Sequence, residues 1–196
     1  MPIVHKQGHQ VGERIVPPAY VDANFLKNYA VGAQRTSNAQ ILARNVMGDL
    51  LAQGVTILVS LVTVEEAWWG TIHELYCRHI WQPSSPNAQC KFERSKAERN
   101  WNRLMQHKDE LKKIVGDLQE LRNAGADIRF VPEVAKSFEV CQDVPDRMQS
   151  HSLFSADALH LSLALSHART LITFDVNDFR RVLDPSKDLT IILLRS

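Results

Sequence analysis

Apolar and polar positions along the chain switch between helical and strand periods. Residues 37 to 53 carry Ile41, Leu42, Val46, Leu50 and Leu51 at helical spacing, and Gly54 ends the pattern. The next stretch, "VTILVS" at 55 to 60, is apolar and β-branched without alternation, as in a strand buried within a parallel sheet. Before these, residues 1 to 18 are polar and end in Pro17-Pro18; they read as a loose arm leading to a short strand, "AYV" at 19 to 21, and a helix from about Asn24. Beyond them the pattern predicts an aromatic-rich helix from about Val62 to Ile80 and a Pro/Ser loop at 82 to 89. One long polar helix follows over 91 to 123, with Trp101, Leu104, Leu111, Ile114, Val115, Leu118 and Leu121 as its stripe. A strand at 128 to 131, a short helix at 132 to 142 and a helix from about Ser155 to Ala168 come next, then strands at 170 to 173 and 189 to 194. Strands separated by helices imply an α/β fold: a mostly parallel sheet of about five strands flanked by helices on both faces, with ligands outside the carboxyl ends of the strands. The expected organisation is an arm over 1–18 and a single domain over 19–196, with an extended helical insertion around 81–125.

Composition narrows the function classes. At 196 residues, 44% hydrophobic and 23% charged, the chain is an ordinary globular one, long enough for one buried core. A net charge of +1 leaves no global footprint for nucleic acid, so such affinity would come from a local cluster. The segment "KFERSKAERNWNRLMQHKDELKK" at 91 to 113 holds eight Lys/Arg against four Asp/Glu. It reads either as a solvated helix face or, through Arg94, Lys96, Arg99 and Arg103, as a contact for an RNA backbone. Cys77, Cys90 and Cys141 are a sparse, odd set that suits a reducing compartment better than a disulfide framework. The start lacks an apolar signal core, and "VTILVSLVTV" at 55 to 64 is far short of the roughly 20 residues of a membrane span, so a cytoplasmic protein is expected. His73, Cys77, His79 and Cys90 lack the paired spacing of a zinc motif. Trp68 and Trp69 read as core or dimer-interface residues, and His160 and His167 as packing or surface residues.

Carboxylates at strand ends carry the chemistry. Asp22 ends the first strand in "YVDANFL", and Glu65 and Glu66 lie one turn into the helix after the second. Asp157 sits in the first turn of its helix with Ser155 as candidate N-cap, and Asp175 ends the fourth strand with Asp178 just beyond. Each alone is ordinary turn or cap chemistry. Together, four segments deliver carboxylates to one sheet edge, where two of them about 4 Å apart repel by roughly 4 kcal/mol at an effective dielectric near 20. Protons or a cation must intervene, and oxygen-only ligands select Mg²⁺ or Mn²⁺. Such a site suits hydrolysis of a phosphodiester.

The series "YVDANFL", "SLVTVEEAWWG", "SADALHLSLALSHA" and "TLITFDVNDFRRV" resembles the ordered motifs of the PIN-domain nucleases, in particular the VapC-like toxins of toxin–antitoxin pairs. The resemblance implies an Mg²⁺-dependent endoribonuclease acting on RNA, with homodimers common and an antitoxin protein as partner. It implies Asp22, Glu66, Asp157 and Asp175 as catalytic metal ligands, joined by Asp178, with Asn24 and Thr173 in support. Helical phase does not choose between Glu65 and Glu66. The motif does, since Glu66 has Thr63 three residues before it and Gly70 four after it, and Gly70 is expected to leave room for metal-bound water or a phosphate. About 90 residues lie between Glu66 and Asp157, more than the compact toxins usually hold. A toxin and a housekeeping RNA-processing nuclease therefore both stand, beside a non-enzymatic RNA- or partner-binding module. An aspartate-nucleophile phosphatase or a receiver domain would want a second acid where Asn24 stands.

Overall fold

The computed structural model describes residues 3–30, 37–83, 85, 88–131, 137–183 and 188–195. In chain order the elements are β1 (Val4–Gln7), β2 (Ala19–Val21), α1 (Ala23–Ala30), α2 (Asn38–Ala52), β3 (Ile57–Val59) and α3 (Leu61–His79). Then come α4 (Arg94–Arg99), α5 (Trp101–Leu104), a 3-10 turn (Met105–His107), α6 (Lys108–Asn123) and β4 (Ile128–Phe130). The chain ends with α7 (Ser137–His151), α8 (Ser155–His167), β5 (Thr170–Thr173), α9 (Val176–Phe179) and β6 (Thr190–Leu193). All strands run parallel in the order β1-β6-β5-β2-β3-β4.

Period-two alternation sorts the strand side chains onto two faces. Ala19, Val21, Ile57, Val59, Ile172 and Ile192 face α1, α2 and α6, packing on Phe25, Leu26, Met47, Leu50 and Ile114. Tyr20, Leu58, Leu171, Ile191 and Leu193 face α8 and α9, packing on Ala158, Leu161, Ala164 and Phe179. Burial on both faces is why these strands read as unbroken apolar runs. After β2 the chain moves to β3 on one side and later returns to β5 on the other, so the order reverses between β2 and β5. A crevice forms at such a point beyond the carboxyl ends of the strands.

The sheet has six strands rather than five, because part of the supposed loose arm is β1, paired with β6 from Val4↔Thr190 to Gln7↔Leu193. An edge strand is half solvated, so a polar sequence such as VHKQ serves there without an apolar pattern to announce it. Polar groups also tie the arm to α2: His9 Nε2 lies 2.6 Å from Asp49 Oδ2, the Gly12 N–H donates to the same oxygen, and the Ile15 N–H donates to Gln53 Oε1. The long helix expected over 91 to 123 is broken. At Asn100 the backbone leaves helical geometry while the side-chain amide donates to Lys96 O at 2.9 Å, the local competition that makes Asn a poor helix-interior residue. Of the short helix expected at 132 to 142, residues 132–136 lie outside the described residues and 137–142 belong to α7, which runs on to His151.

A third, small cluster of Leu75, Tyr76, Ile80, Ala97 and Leu104 joins the carboxyl half of α3 to α4 and α5. Cys77 and Cys90 form a disulfide across this junction, which corrects the reading of the cysteines as unpaired. Their separation of 13 residues gave no pairing signal, yet closing a loop of this size stabilises by about 3 kcal/mol. Among the described residues no helix is long and apolar enough to cross a membrane.

Candidate active site

The adjacent strands β5, β2 and β3 end at one edge of the sheet, where β2 and β3 hand the chain to Asp22 and Ser60 and β5 ends in Thr173 with Asp175 two residues on. Asp22 follows β2 directly and is 2% exposed. Its Oδ1 accepts the Phe25 N–H at 2.7 Å, capping α1, and the Thr173 hydroxyl from the end of β5 is bonded to it as well. The same Thr173 oxygen accepts the Asp175 N–H at 2.8 Å. Asn24, the second residue of α1, donates its amide to Asp175 Oδ2 at 2.6 Å, so Asn24 and Thr173 join the two acids across the switch point.

Ser60 caps α3 in a reciprocal capping box with Thr63, which sets the phase that carries Glu66. Glu66 Oε2 lies 2.8 Å from His160 Nε2. His160 is 2% exposed, and its Nδ1 lies 2.7 Å from the Tyr20 hydroxyl, which also meets Ser60 Oγ and Thr63 Oγ1 at 2.9 Å each. Burial pushes the Tyr20 hydroxyl well above its ordinary pKa, so it stays a phenol with one proton to donate. When the phenol donates to Nδ1, the ring carries its N–H on Nε2 and donates it to Glu66. The sequence reading treated His160 as packing and left Tyr20 unmarked. Alternation alone would have placed Tyr20 opposite Ala19 and Val21, yet no local signal pairs it with a histidine 140 residues away.

Asp157 enters from α8, whose N-cap is Phe154 with no side-chain bond; Ser155 is the first helical residue and not the expected cap. The free N–H groups of that first turn favour a negative charge on Asp157. Burial pushes the Asp22 carboxyl up from 3.8 to about 7, with Asp175 adding to it. Burial likewise raises Asp157 to about 6, with Asp175, Asp178 and Glu66 contributing, and raises Asp175, with Asp178 and Glu66 contributing. Desolvation therefore outweighs the like-charge repulsion that the sequence emphasised. Glu65, one residue away, is exposed.

The donors are all oxygens brought from four elements, and burial disfavours the charged forms of Asp22, Asp157 and Asp175, which a hard divalent ion would offset. Asp22, Glu66, Asp157 and Asp175 would hold it. Asp178 lies at the margin, its Oδ1 already bonded to Arg181 Nη2 at 2.7 Å. Two open grooves border the cluster, one of about 470 Å³ lined by Asn24, Asn28, Asp175 and Arg195, the other of about 360 Å³ lined by Val62, Glu65, Glu66 and Leu159.

Two expectations change in space, and the basic residues are placed. A Cβ on Gly70 would meet the Lys27 side chain at 2.9 Å, so this glycine makes room for α1 against α3 rather than for a phosphate. Lys27 in turn reaches Glu74 Oε1 at 3.0 Å. Trp68 and Trp69 are 39% and 46% exposed, which corrects the core half of their reading and leaves the interface half standing, Trp68 donating its indole N–H to Leu111 O. Arg94, Lys96, Arg99 and Arg103 sit on α4 and α5 against the carboxyl half of α3. Tyr76, to which that cluster packs, lies ten residues beyond Glu66, roughly 15 Å along the helix. Arg94 pairs with Glu98 there at 2.9 Å.

The sequence itself places this constellation in a class. The PIN-domain family model matches residues 19–184, and the chain belongs to that family of nucleases, whose members generally use divalent metal ions. No curated protein matches the sequence. Among solved structures it is similar to VapBC2 from Rickettsia felis bound to a DNA fragment from their promoter, at 16% identity and a TM-score of 0.43, over 89% of this chain and 97% of that one. It is similar also to FitAcB from Neisseria gonorrhoeae, at 14% identity and a TM-score of 0.42, over 89% of this chain and 96% of that one. A further structure, of FitAB bound to an IR36 DNA fragment, matches at 14% identity and 0.43, over 89% and 93%. All three scores lie below 0.5, so membership rests on the family match.

Proposed function

We propose that this protein is a divalent-metal-dependent endoribonuclease that hydrolyses phosphodiester bonds in single-stranded or looped RNA. The observation that carries this is the convergence of Asp22, Glu66, Asp157 and Asp175 from four elements on one sheet edge, with Asp22 and Asp157 raised to about 7 and about 6. A bound Mg²⁺ or Mn²⁺ supplies Lewis-acid polarisation of a phosphoryl oxygen and a water acidic enough to attack near neutral pH. The chain's own residues do the rest. Asp22 is fixed by the Phe25 N–H and the Thr173 hydroxyl, Asp175 by Asn24 and the Thr173 oxygen, and Glu66 by His160. Holding the ligands through such bonds sets their direction before substrate arrives. In the groove beside Asp175, the Asn28 amide and the Arg195 guanidinium offer N–H donors to a neighbouring backbone phosphate. The family resemblance supports two roles for this activity, a toxin kept in check by an antitoxin protein and working as a homodimer, and a housekeeping RNA-processing nuclease.

Cleavage of an unstructured RNA by the purified protein is expected to need Mg²⁺ or Mn²⁺ and to fall roughly a thousandfold or more on chelation, the several kcal/mol such an ion supplies. A matched DNA strand run in parallel reads whether the sugar matters. Cleavage undiminished after exhaustive chelation would remove the metal site, and cleavage of DNA alone would remove the RNA assignment.

The basic segment has a separate readout because it lies away from the acids. Changing Arg94, Lys96, Arg99 and Arg103 to Ser is expected to weaken RNA binding and flatten its dependence on salt, since fewer counterions are released. Turnover at saturating RNA should stay near wild type. An unchanged salt slope would return the segment to a solvated helix face.

A further inference from the structure

We propose that His73, Cys77 and Cys90 form a second metal site, which takes a borderline-soft divalent ion such as Zn²⁺ when the Cys77–Cys90 cystine is reduced. Their ligand atoms all lie within 4.8 Å of one another, a group found among the described residues away from the acid cluster. His73 and Cys77 stand four residues apart on α3 and so share one face, as helical metal-ligand pairs do. Cys90 is brought to that face by the loop ahead of α4, and Phe92, just beyond it, meets the His73 ring edge-on at 5.4 Å between centroids. Sequence spacing argued against zinc because these residues lack paired ligand spacing, Cys77 and Cys90 standing on either side of the Pro/Ser loop at 82 to 89. The fold removes that objection by closing the loop. Two thiolates and an imidazole suit Zn²⁺ and bind poorly the hard Mg²⁺ that oxygen ligands select, so the two sites differ in metal. The remaining tetrahedral position falls to water.

The steps balance. A dithiol, or two molecules of a low-molecular-weight thiol, donates two electrons and two protons to the cystine, ending as a disulfide and leaving two thiols on the protein. Zn²⁺ then displaces both protons and forms two metal–sulfur bonds. Either cross-link holds the 13-residue span to α3 and, with it, the basic α4 whose only buried side chain is Ala97. Where thiols stay reduced, the metal performs the anchoring that the cystine performs where they do not.

The test uses the full chain, reduced without oxygen, freed of reductant and titrated with Zn²⁺ and with Co²⁺. One equivalent of Zn²⁺ should bind in a form that excess Mg²⁺ does not displace, and Co²⁺ should show thiolate charge-transfer absorption, which an all-oxygen site cannot produce. The oxidised protein should show neither. His73→Ala leaves the cystine able to form, so its fold can be checked in the oxidised state; once reduced it should bind Zn²⁺ at least tenfold more weakly. Cys90→Ser should lose the charge-transfer band. A reduced wild type without that band, or His73→Ala binding Zn²⁺ as tightly as wild type, would overturn the site.

Discussion

Asp22→Asn is expected to lower RNA cleavage by roughly a thousandfold and, without metal, to make the protein more stable at neutral and alkaline pH. Asn keeps the shape, and its amide oxygen can still accept the Phe25 N–H that Asp22 now accepts at 2.7 Å. What it removes is a charge buried at the sheet edge beside Asp175, where desolvation lifts the carboxyl from 3.8 to about 7. A carboxyl that binds its proton more tightly in the folded than in the unfolded chain contributes fully to stability below about pH 4. That contribution is lost as the pH rises through about 7. Metal-free wild type should therefore lose on the order of 4 kcal/mol relative to the variant between these limits. In melting temperature the gap would be roughly 10 °C at pH 8 for a chain of this size, and small at pH 4. Mg²⁺ should restore the wild type and leave the variant unmoved. Melting curves that run parallel across the pH range would show that Asp22 carries no buried charge.

The second large effect separates two neighbouring glutamates. Glu66→Gln should lose turnover by a hundredfold or more while Glu65→Gln stays within a few-fold of wild type. Glu66 touches His160 Nε2 at 2.8 Å, and its charge raises Asp157, Asp175 and Tyr20. Glu65 looks into the adjoining groove from an exposed position. His160→Ala should fall between the two, about 10- to 100-fold down, the range for residues that orient a metal ligand. Metal affinity measured beside turnover distinguishes loss of orientation from loss of fold. A dead Glu65→Gln beside an active Glu66→Gln would place the motif one residue out of register.

Much of the scaffold was readable locally. The apolar runs at Ala19–Val21, Ile57–Val59, Thr170–Thr173 and Thr190–Leu193 are strands because a sheet covered on both faces demands such runs, and their ends put Asp22 and Asp175 where a parallel sheet binds ligands. Elements without such a demand escaped notice. Polar β1 lies at a half-solvated edge, and the break at Asn100 depends on one amide finding a carbonyl four residues back.

The sequence by itself determined which residue types stand at the ends of strands and the openings of helices, since backbone periodicity and capping act over a few residues. Tertiary structure alone decided which of them meet. Tyr20 reaches His160 across 140 residues, Asn24 reaches Asp175 across 151, and His9 reaches Asp49 across 40. Gly70 serves Lys27 rather than a ligand, and Cys77 finds Cys90. The physical reason is that a hydrogen bond or disulfide between distant residues leaves no periodic trace along the chain. It exists only after the sheet has brought its separate strands side by side.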